Sequence, residues 1–256
     1  MKPSDWDFSL FLEIAPEEMF SSPGTIQSLP RETRSSFSLL VKDVIQLALS
    51  GKPGALEALL LLPRLVAPSN LRGRTATSKI LEFITLFRAG QFKALWERPN
   101  IILRYGSFDP AKRAIALAKA GNLGDAVRAL ASEGVLDPKD HIDKLKQLHP
   151  DAPLPAVPDP VPKSRLTQPF NKADFHLVVK HAKWKKAADA LGWRMDHVKI
   201  LSQEALNVLF PLCLRMAKNP RLIPERLRPF FFGARLTPIG KKDGGIRPIA
   251  IGTIFS

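Results

Sequence analysis

The stretch GARLTPIGKKDGGIRPIAIG, residues 233–252, holds two short apolar runs that flank a turn rich in lysine and glycine. The runs ARLTPI and IRPIAI are strand-like, and Gly244 and Gly245 suit a hairpin turn that needs positive φ. Each run also contains a proline, which has no N–H group to donate to a neighbouring strand. The stretch therefore predicts a β-hairpin whose strands have at least one unpaired or irregular side.

The region before this hairpin is dominated by helical patterns. In SSFSLLVKDVIQLALS, apolar residues recur at helical spacing from Ser35 until Gly51 ends the pattern. The residues of this helix predicted to face the core are Phe37, Leu40, Val41, Val44, Ile45 and Leu49. ALEALLLL predicts a second short helix closed by Pro63, and a third is expected to be capped by Thr77 or Ser78. QFKALWER is expected to add one or two further turns.

Residues 109–149 have the clearest helical signals. Asp109 followed by Pro110 is an N-cap with proline at the first helical position. AKRAIALAKA is rich in alanine, the best helix former, and Gly121 ends that helix. GNLGDAVRALASEG predicts a second helix, ended by Gly134, so the pair forms an αα-hairpin. DPKDHIDKLKQLHP adds a third helix.

A further core helix is predicted in SQEALNVLFPLCLRMAKN. Ser202 is its expected cap, and Pro211 is expected to kink it or divide it in two. The residues predicted to face inward are Leu206, Leu209, Phe210 and Leu214.

Proline and charge mark the expected domain boundary. Six prolines fall between Pro150 and Pro162, a density that excludes helix and central strand. Residues 1–162 hold 20 Lys+Arg and 18 Asp+Glu, whereas residues 163–256 hold 18 and 6. The predicted organisation is an irregular segment 1–34, a helical domain 35–149, a linker 150–162, and a basic region 163–256. Such one-sided charge usually indicates a polyanionic partner, most often RNA or DNA.

Composition excludes several classes of protein. The single cysteine, Cys213, rules out a disulfide within the chain and argues against a cysteine-based zinc site. The apolar runs are far shorter than the ~20 residues of a membrane span, so no membrane association is expected. The N-terminus carries acids within its apolar run, unlike a secretory signal. The protein is therefore expected to be intracellular, in the nucleus or the cytoplasm.

The five histidines show no metal-binding spacing, so surface or helix-end positions are expected.

The segment KHAKWKK, residues 180–186, is one candidate nucleic-acid contact. It interleaves Trp184 with His181 and four lysines, Lys180, Lys183, Lys185 and Lys186. The aromatic ring could stack on a base while the lysines neutralise phosphates. An amphipathic helix with Trp184 in the core explains the pattern equally well, and a nuclear-import patch is a third option.

The cations of the hairpin are the second candidate site. Lys241 and Lys242 lie on the turn, Arg235 on the first strand and Arg247 on the second. Two point charges and a guanidinium fork on a rigid ribbon suit a di- or triphosphate. An ordinary hairpin whose charged edges prevent edge-to-edge pairing carries similar residues.

FFFGARLTPIGKKDGGIRPIAIG, residues 230–252, resembles the fingers segment that opens the reverse transcriptase domain of retroelements lacking long terminal repeats. LGWRMDHVKIL, residues 191–201, resembles the segment usually found before it. GNLGDAVRALASEGV, KLKQLHPDAP, LLLLPRLVAP and GQFKALW are similar to helices that often precede that domain. The resemblance covers roughly residues 55–256, and its most specific part is the hairpin.

The resemblance implies an RNA-directed DNA polymerase fold of which this chain holds the N-terminal and fingers portion. In that family the fingers hairpin closes over the incoming nucleotide, so the triphosphate contacts would fall to Lys241, Lys242 and Arg247, with Arg235 as a further contact. The fold class it implies is mainly α: a helical domain, a linker, and basic helices ending in an incomplete α+β fingers hairpin.

The chain departs from the family in its carboxylates. Polymerases of this family hold two Mg²⁺ ions with palm aspartates, and this sequence has no Asp-Asp pair. The expectation is a truncated reverse transcriptase-like protein that binds nucleic acid and nucleotide triphosphate, is not itself an enzyme, and needs no cofactor. Two alternatives stay open, a stand-alone RNA- or DNA-binding protein derived from a retroelement and a helical protein-interaction scaffold on residues 109–149.

Overall fold

The computed structural model describes residues 2–20, 24–69, 71, 74–98, 109–119, 123–131, 136, 138–148, 171–182, 188–219, 223–232, 235–241 and 245–254. The predicted linker at 150–162 lies outside these residues, as do the predicted helix ends at Gly121 and Gly134. Within the described residues the protein is mainly helical, with one two-stranded antiparallel sheet. The coarse fold class predicted from the sequence is thus confirmed.

The helices and strands follow one another in a simple order. The α-helices are α1 Ser9–Glu13, α2 Pro16–Phe20, α3 Arg31–Leu49, α4 Ala55–Val66, α5 Arg74–Arg88, α6 Phe92–Trp96, α7 Pro110–Lys119, α8 Leu123–Leu130, α9 Ile142–Leu148, α10 Lys172–His181, α11 Met195–Lys199, α12 Gln203–Lys218 and α13 Arg228–Phe232. The strands are β1 Arg235–Gly240 and β2 Ile246–Ile251. Short 3₁₀ turns lie at Pro3–Asp5, Pro138–His141 and Glu225–Leu227.

The chain divides into two compact units, each assembled from separated parts of the sequence. The larger unit comprises residues 1–102, 162–233 and 252–256, and the smaller unit comprises residues 103–161 and 234–251. This division differs from the predicted domains, which followed the sequence in order. Its physical reason lies in the core of the larger unit, where the ring centroids of Phe37 and Trp193 are 6.2 Å apart. Residues from both sides of the expected linker are thus buried together.

The core of the larger unit is built on α3 and α4. The predicted inward face of α3 is confirmed, since Phe37, Leu40, Val41, Val44 and Ile45 are buried, while Leu49 is half-buried. α3 begins at Arg31, ahead of the expected Ser35, and α5 begins at Arg74, ahead of Thr77 and Ser78. Ser78 does not cap α5, because its hydroxyl donates to the Thr75 carbonyl inside the helix.

The N-terminal segment 1–34, expected to be irregular, contributes α1, α2 and several of the largest buried side chains. Trp6, Phe8 and Phe11 are fully or almost fully buried. The Trp6 indole donates to the Arg88 carbonyl (3.0 Å), and its ring meets Phe87 edge-on at 5.6 Å. The aromatic residues of this segment therefore belong to the core.

Pro63 does not close α4, contrary to expectation, because the helix continues to Val66. A proline inside a helix has no N–H group and leaves the carbonyl four residues earlier without its usual donor. That carbonyl belongs to Leu59, and the Trp193 indole N–H donates to it at 3.0 Å. A tertiary hydrogen bond thus replaces the missing helical one, and both groups are buried.

The loop that carries Trp193 is held by the Asp189 carboxylate. One carboxylate oxygen accepts from the backbone N–H groups of Leu191 and Trp193 (2.9 Å each), and the other accepts from Ile254 N–H (3.0 Å). Gly192 has φ +93, a conformation that glycine adopts without strain, and its carbonyl accepts from the Thr25 hydroxyl. Burial raises the pKa of Asp189, and its backbone hydrogen bonds oppose that effect.

α12 is one continuous helix, so Pro211 does not divide it. Ser202 caps it as predicted, with the hydroxyl accepting from Ala205 N–H. Leu206 and Leu209 are buried as predicted, and Phe210 packs partly against the core. Leu214 is only half-buried. In this part of α12 the buried residues are instead Leu212 and Met216.

The αα-hairpin of the smaller unit agrees with its prediction where the residues are described. Asp109 accepts from the N–H groups of Ala111 (3.0 Å) and Lys112 (3.1 Å), which caps α7, and Pro110 is its first residue. α7 and α8 pack through Ala114, Ala126 and Ala129, which are buried together. The expected third helix is present as the 3₁₀ turn Pro138–His141 followed by α9.

Replacing Gly54 with alanine should destabilise the protein much more than the same change at Gly51. Both glycines have positive φ, +74 and +80, so each substitution adds backbone strain of about 1 kcal/mol. A Cβ at Gly54 would also lie 2.5 Å from the Phe8 carbonyl oxygen, whereas at Gly51 nothing lies within 4 Å. Urea unfolding should show Gly54→Ala to be less stable than Gly51→Ala by at least about 2 kcal/mol. Equal losses would contradict the close approach of Phe8.

Trp193→Phe should reduce the free energy of unfolding by about 1–3 kcal/mol, because it leaves the buried Leu59 carbonyl without a donor. In a Pro63→Ala background the same change should matter less, since an alanine at that position brings back the helical N–H group. Denaturant unfolding of the wild type, both single variants and the double variant measures the coupling. An additive double variant would show that the indole hydrogen bond and Pro63 are unrelated.

Candidate nucleic-acid interface

The β-hairpin has a regular register. Arg235 pairs with Ile251, Thr237 with Ile249, and Ile239 with Arg247, while Lys241 N–H donates to the Gly245 carbonyl at 2.9 Å. In an antiparallel pair, hydrogen-bonded and non-hydrogen-bonded positions alternate. The Lys241–Gly245 bond therefore places the hydrogen-bonded pairs at the odd-numbered positions of β1.

Pro238 and Pro248 lie directly opposite each other in this register. They form a non-hydrogen-bonded pair, so their missing N–H groups face away from the partner strand and interrupt no bond between β1 and β2. The outward carbonyl of Pro238 accepts from Leu136 N–H (3.0 Å), and β2 contacts α9. The hairpin is therefore supported within the smaller unit.

Two of the predicted phosphate contacts share one face of the ribbon. Side chains alternate between the two faces of a strand, and directly paired residues project to the same side. Arg247 lies opposite Ile239, and Ile239 is two residues before Lys241. Lys241 and Arg247 therefore project from the same face. They are diagonal neighbours, about 7–8 Å apart at Cα. The third predicted contact, Arg235, is placed by its backbone alone, as the first residue of β1.

The cations on this face are available to a ligand. Lys241 and Arg247 are both exposed, and among the described residues neither forms an ion pair. The same face is partly apolar, with Ile249 38% exposed. The fourth predicted residue, Lys242, lies outside the described residues.

The second predicted site is described only at its beginning. Lys180 is exposed in the last turn of α10, whereas Lys183, Trp184, Lys185 and Lys186 lie outside the described residues. The two interpretations of Trp184 thus stay open. Lys199 donates to the carbonyls of Lys180 (2.9 Å) and Ala182 (2.6 Å), so this lysine holds the end of α10.

Several other cations of the basic region are structural, which charge counting does not reveal. Arg215 donates to the Leu49 carbonyl (2.7 Å) and so links α12 to the end of α3. Arg226 donates to the carbonyls of Phe11 and Leu12 and lies 3.4 Å from the buried Glu57 carboxylate. The net charge of residues 163–256 therefore overstates the number of cations open to a ligand.

His197 lies in the last turn of α11 and is fully buried, so of the two positions expected for the histidines it has the helix end and not the surface. Its Nε2 lies 2.9 Å from the Ile26 carbonyl oxygen, and its ring packs beside Phe37 and Trp193. Burial is the main reason that its pKa falls to about 4; the charge of Arg194 lowers it further, while the hydrogen bond to Ile26 and the charge of Asp196 oppose the shift. His197 is therefore neutral at physiological pH and serves the core.

Other chemistry-bearing groups in the described residues do not assemble into a site. No group of three His, Cys, Asp or Glu side chains there is arranged to hold a metal ion. Burial raises the pKa of the Cys213 thiol to about 11. None of the helices in the described ranges has the length and apolarity needed to cross a membrane.

Comparisons with protein-family models, curated proteins and solved structures gave no match to this chain.

Acidification should weaken the fold through His197. Its folded pKa of about 4 lies below its ordinary value of 6.5, so the unfolded chain binds the proton more readily. The contribution of neutral His197 to the free energy of unfolding is present above about pH 6.5. It should be lost as the pH falls, by about 3 kcal/mol at pH 4. The control is His197→Gln, because glutamine does not titrate and the loss of stability that remains in this variant comes from the carboxylates. Urea unfolding from pH 7 to 4 should give a smaller loss for the variant, and equal losses would contradict this assignment.

Proposed function

We propose that this protein binds single-stranded nucleic acid through the sugar-phosphate backbone. The primary contact is the cationic ribbon, which we define as Arg235, Lys241, Lys242 and Arg247 on β1, β2 and their turn. One observation carries the proposal: the register puts Lys241 and Arg247 on one exposed face, without an ion-pair partner among the described residues.

The chemistry of this face favours phosphate as the ligand. Lysine supplies a mobile point charge, and arginine supplies a planar fork that can bind two phosphate oxygens at once. Both stand on a paired ribbon, so their Cα atoms are held about 7–8 Å apart on one face. The exposed Ile249 on the same face offers an apolar contact to a sugar or a base.

The charge of the chain supports a polyanion over a small acidic ligand. Residues 163–256 carry 18 Lys+Arg against 6 Asp+Glu, and exposed cations of α10 include Lys172 and Lys180. Nucleic acid offers phosphates in a row and exposes bases on which the Trp184 ring could stack. Neither feature is needed for binding one acidic metabolite.

A relationship to reverse transcriptases of retroelements without long terminal repeats is part of the same proposal. It rests on the motif FFFGARLTPIGKKDGGIRPIAIG, and the hairpin geometry is compatible with it. Under this proposal the ribbon also takes the triphosphate of a nucleotide. We assign no polymerase chemistry to this chain, because its sequence has no Asp-Asp pair to hold Mg²⁺.

The double variant Lys241→Ala/Arg247→Ala should bind a single-stranded RNA of about 20 nucleotides at least tenfold more weakly than the wild type. Each lost phosphate contact removes about 0.7 from the slope of log affinity against log salt, so the slope should become shallower by about 1.4. Fluorescence anisotropy at several salt concentrations measures both quantities. ATP binding should weaken in parallel if the ribbon also takes triphosphates.

The matched control is Lys79→Ala/Lys93→Ala, which removes the same charge from exposed sites on α5 and α6. The control should keep the wild-type slope and lose less than threefold in affinity. If both double variants bind RNA equally, the interaction follows net charge alone and the ribbon is an ordinary charged hairpin.

A further inference from the structure

Thr237, on the first strand of the cationic ribbon, carries a buried hydroxyl that the protein itself does not use. The residue is only 6% exposed, and its Oγ1 atom finds no hydrogen-bond partner among the described residues. Such a hydroxyl is costly, because it has given up its bonds to water and gained none in return. Buried polar groups in folded proteins are nearly always paired, so the missing partner of Thr237 is a group that a ligand can supply.

The strand register places this hydroxyl on the same face as the proposed phosphate contacts. Thr237 lies directly opposite Ile249 and four residues before Lys241, so the alternation of side chains turns all three to one face. Arg247 projects from that face too, and it is a diagonal neighbour of Thr237, about 7–8 Å away at Cα. The unpaired hydroxyl therefore belongs to the surface on which Lys241 and Arg247 would hold a bound strand.

The nearest described neighbours of Thr237 on this face are aliphatic. Ile239, the next residue of β1 on this side, is half-buried, and Ile249 on the opposite strand is 38% exposed. A phosphate oxygen would lose its hydration between these side chains and gain only one neutral donor. A sugar is better suited, because it offers carbon atoms to the isoleucines and a neutral hydroxyl to Thr237. The exposed Ile249 can rotate aside to admit it, since exposed side chains change rotamer rapidly.

We propose that the Thr237 hydroxyl forms a hydrogen bond with a ribose 2′-hydroxyl of the bound strand, so that the cationic ribbon prefers RNA over DNA. This inference rests on the proposed binding of nucleic acid and specifies which nucleic acid is bound. Threonine and the 2′-hydroxyl can each donate and accept a hydrogen bond, and the 2′-hydroxyl is the group by which proteins distinguish RNA from DNA. Deoxyribose has only hydrogen at that carbon, so DNA would leave Thr237 as unpaired as it is in the free protein.

The expected preference for RNA is modest, because a single hydrogen bond carries it. One net hydrogen bond between neutral groups corresponds to about a fivefold change in affinity. The phosphates that Lys241 and Arg247 would contact are common to RNA and DNA, so the two cations supply affinity without discrimination. Thr237 would thus determine the selectivity of the ribbon, and the cations would determine the strength of binding.

Fluorescence anisotropy of the full chain with oligouridine and with oligodeoxyuridine of equal length tests the proposal, because the two differ only in the 2′-hydroxyl. The wild type should bind the RNA about fivefold more tightly than the DNA. Thr237→Val should lose this advantage on the RNA and bind the DNA as the wild type does. Thr237→Ser keeps the hydroxyl and should keep the preference. Equal affinity of the wild type for both strands, or a Thr237→Val variant that weakens both alike or neither, would overturn the assignment.

Unfolding in urea separates this role of Thr237 from a structural one. Valine has nearly the shape of threonine but has no hydroxyl to leave unpaired. Thr237→Val should therefore be at least as stable as the wild type. A marked loss of stability would mean that the hydroxyl has a partner within the protein, which would contradict the proposal.

The variant Lys241→Ala/Arg247→Ala distinguishes failure of this inference from failure of the proposed function. It should weaken the binding of both oligonucleotides, because each has lost the same phosphate contacts. Unchanged binding by this variant would contradict the ribbon as the binding surface, and this inference with it. Weaker binding by this variant, together with a Thr237→Val variant that discriminates like the wild type, would overturn only the assignment of Thr237.

Discussion

In the larger unit one buried hydrogen bond joins distant parts of the chain. Pro63 leaves the Leu59 carbonyl of α4 without a donor, and the Trp193 indole supplies one. Asp189 in turn holds the loop of Trp193 through three backbone N–H groups, among them that of Ile254. Around this point the N-terminal segment is held by two hydrogen bonds, from the Thr25 hydroxyl to the Gly192 carbonyl and between the Ile26 carbonyl and His197. A buried carbonyl without a partner is costly, so this bond ties α4 to the loop of Trp193.

The cations of residues 163–256 fall into two groups. Lys199, Arg215 and Arg226 bind backbone carbonyls of the larger unit and have a structural role. Lys241 and Arg247 stand exposed on the ribbon, where no such carbonyl is their partner in the described residues. The proposed binding of nucleic acid rests on the second group. Charge counting alone treats both groups alike, so geometry is needed to separate them.

Local signals predicted the elements well. The helical spacing of Phe37 to Ile45, the Asp109 cap and the β-hairpin each depend on neighbours in sequence, and each is found in the structure. Contacts between residues that lie far apart in sequence could not be predicted in this way. Pro63 looks like a helix end until Trp193, far away in sequence, satisfies the free carbonyl. Segment 1–34 looks irregular, yet its aromatic residues fill a core formed by later helices. The shared face of Lys241 and Arg247 needed the strand register, which the sequence left undetermined.

Hydrogen–deuterium exchange with and without single-stranded RNA shows directly whether nucleic acid is bound at the cationic ribbon. We expect slower amide exchange in peptides covering residues 235–251 when RNA is bound, with a smaller change near residues 172–186. Peptides from α7 and α8 should exchange at the same rate with and without RNA. An unchanged exchange rate in residues 235–251 while RNA is demonstrably bound would show that the ribbon is not the binding site.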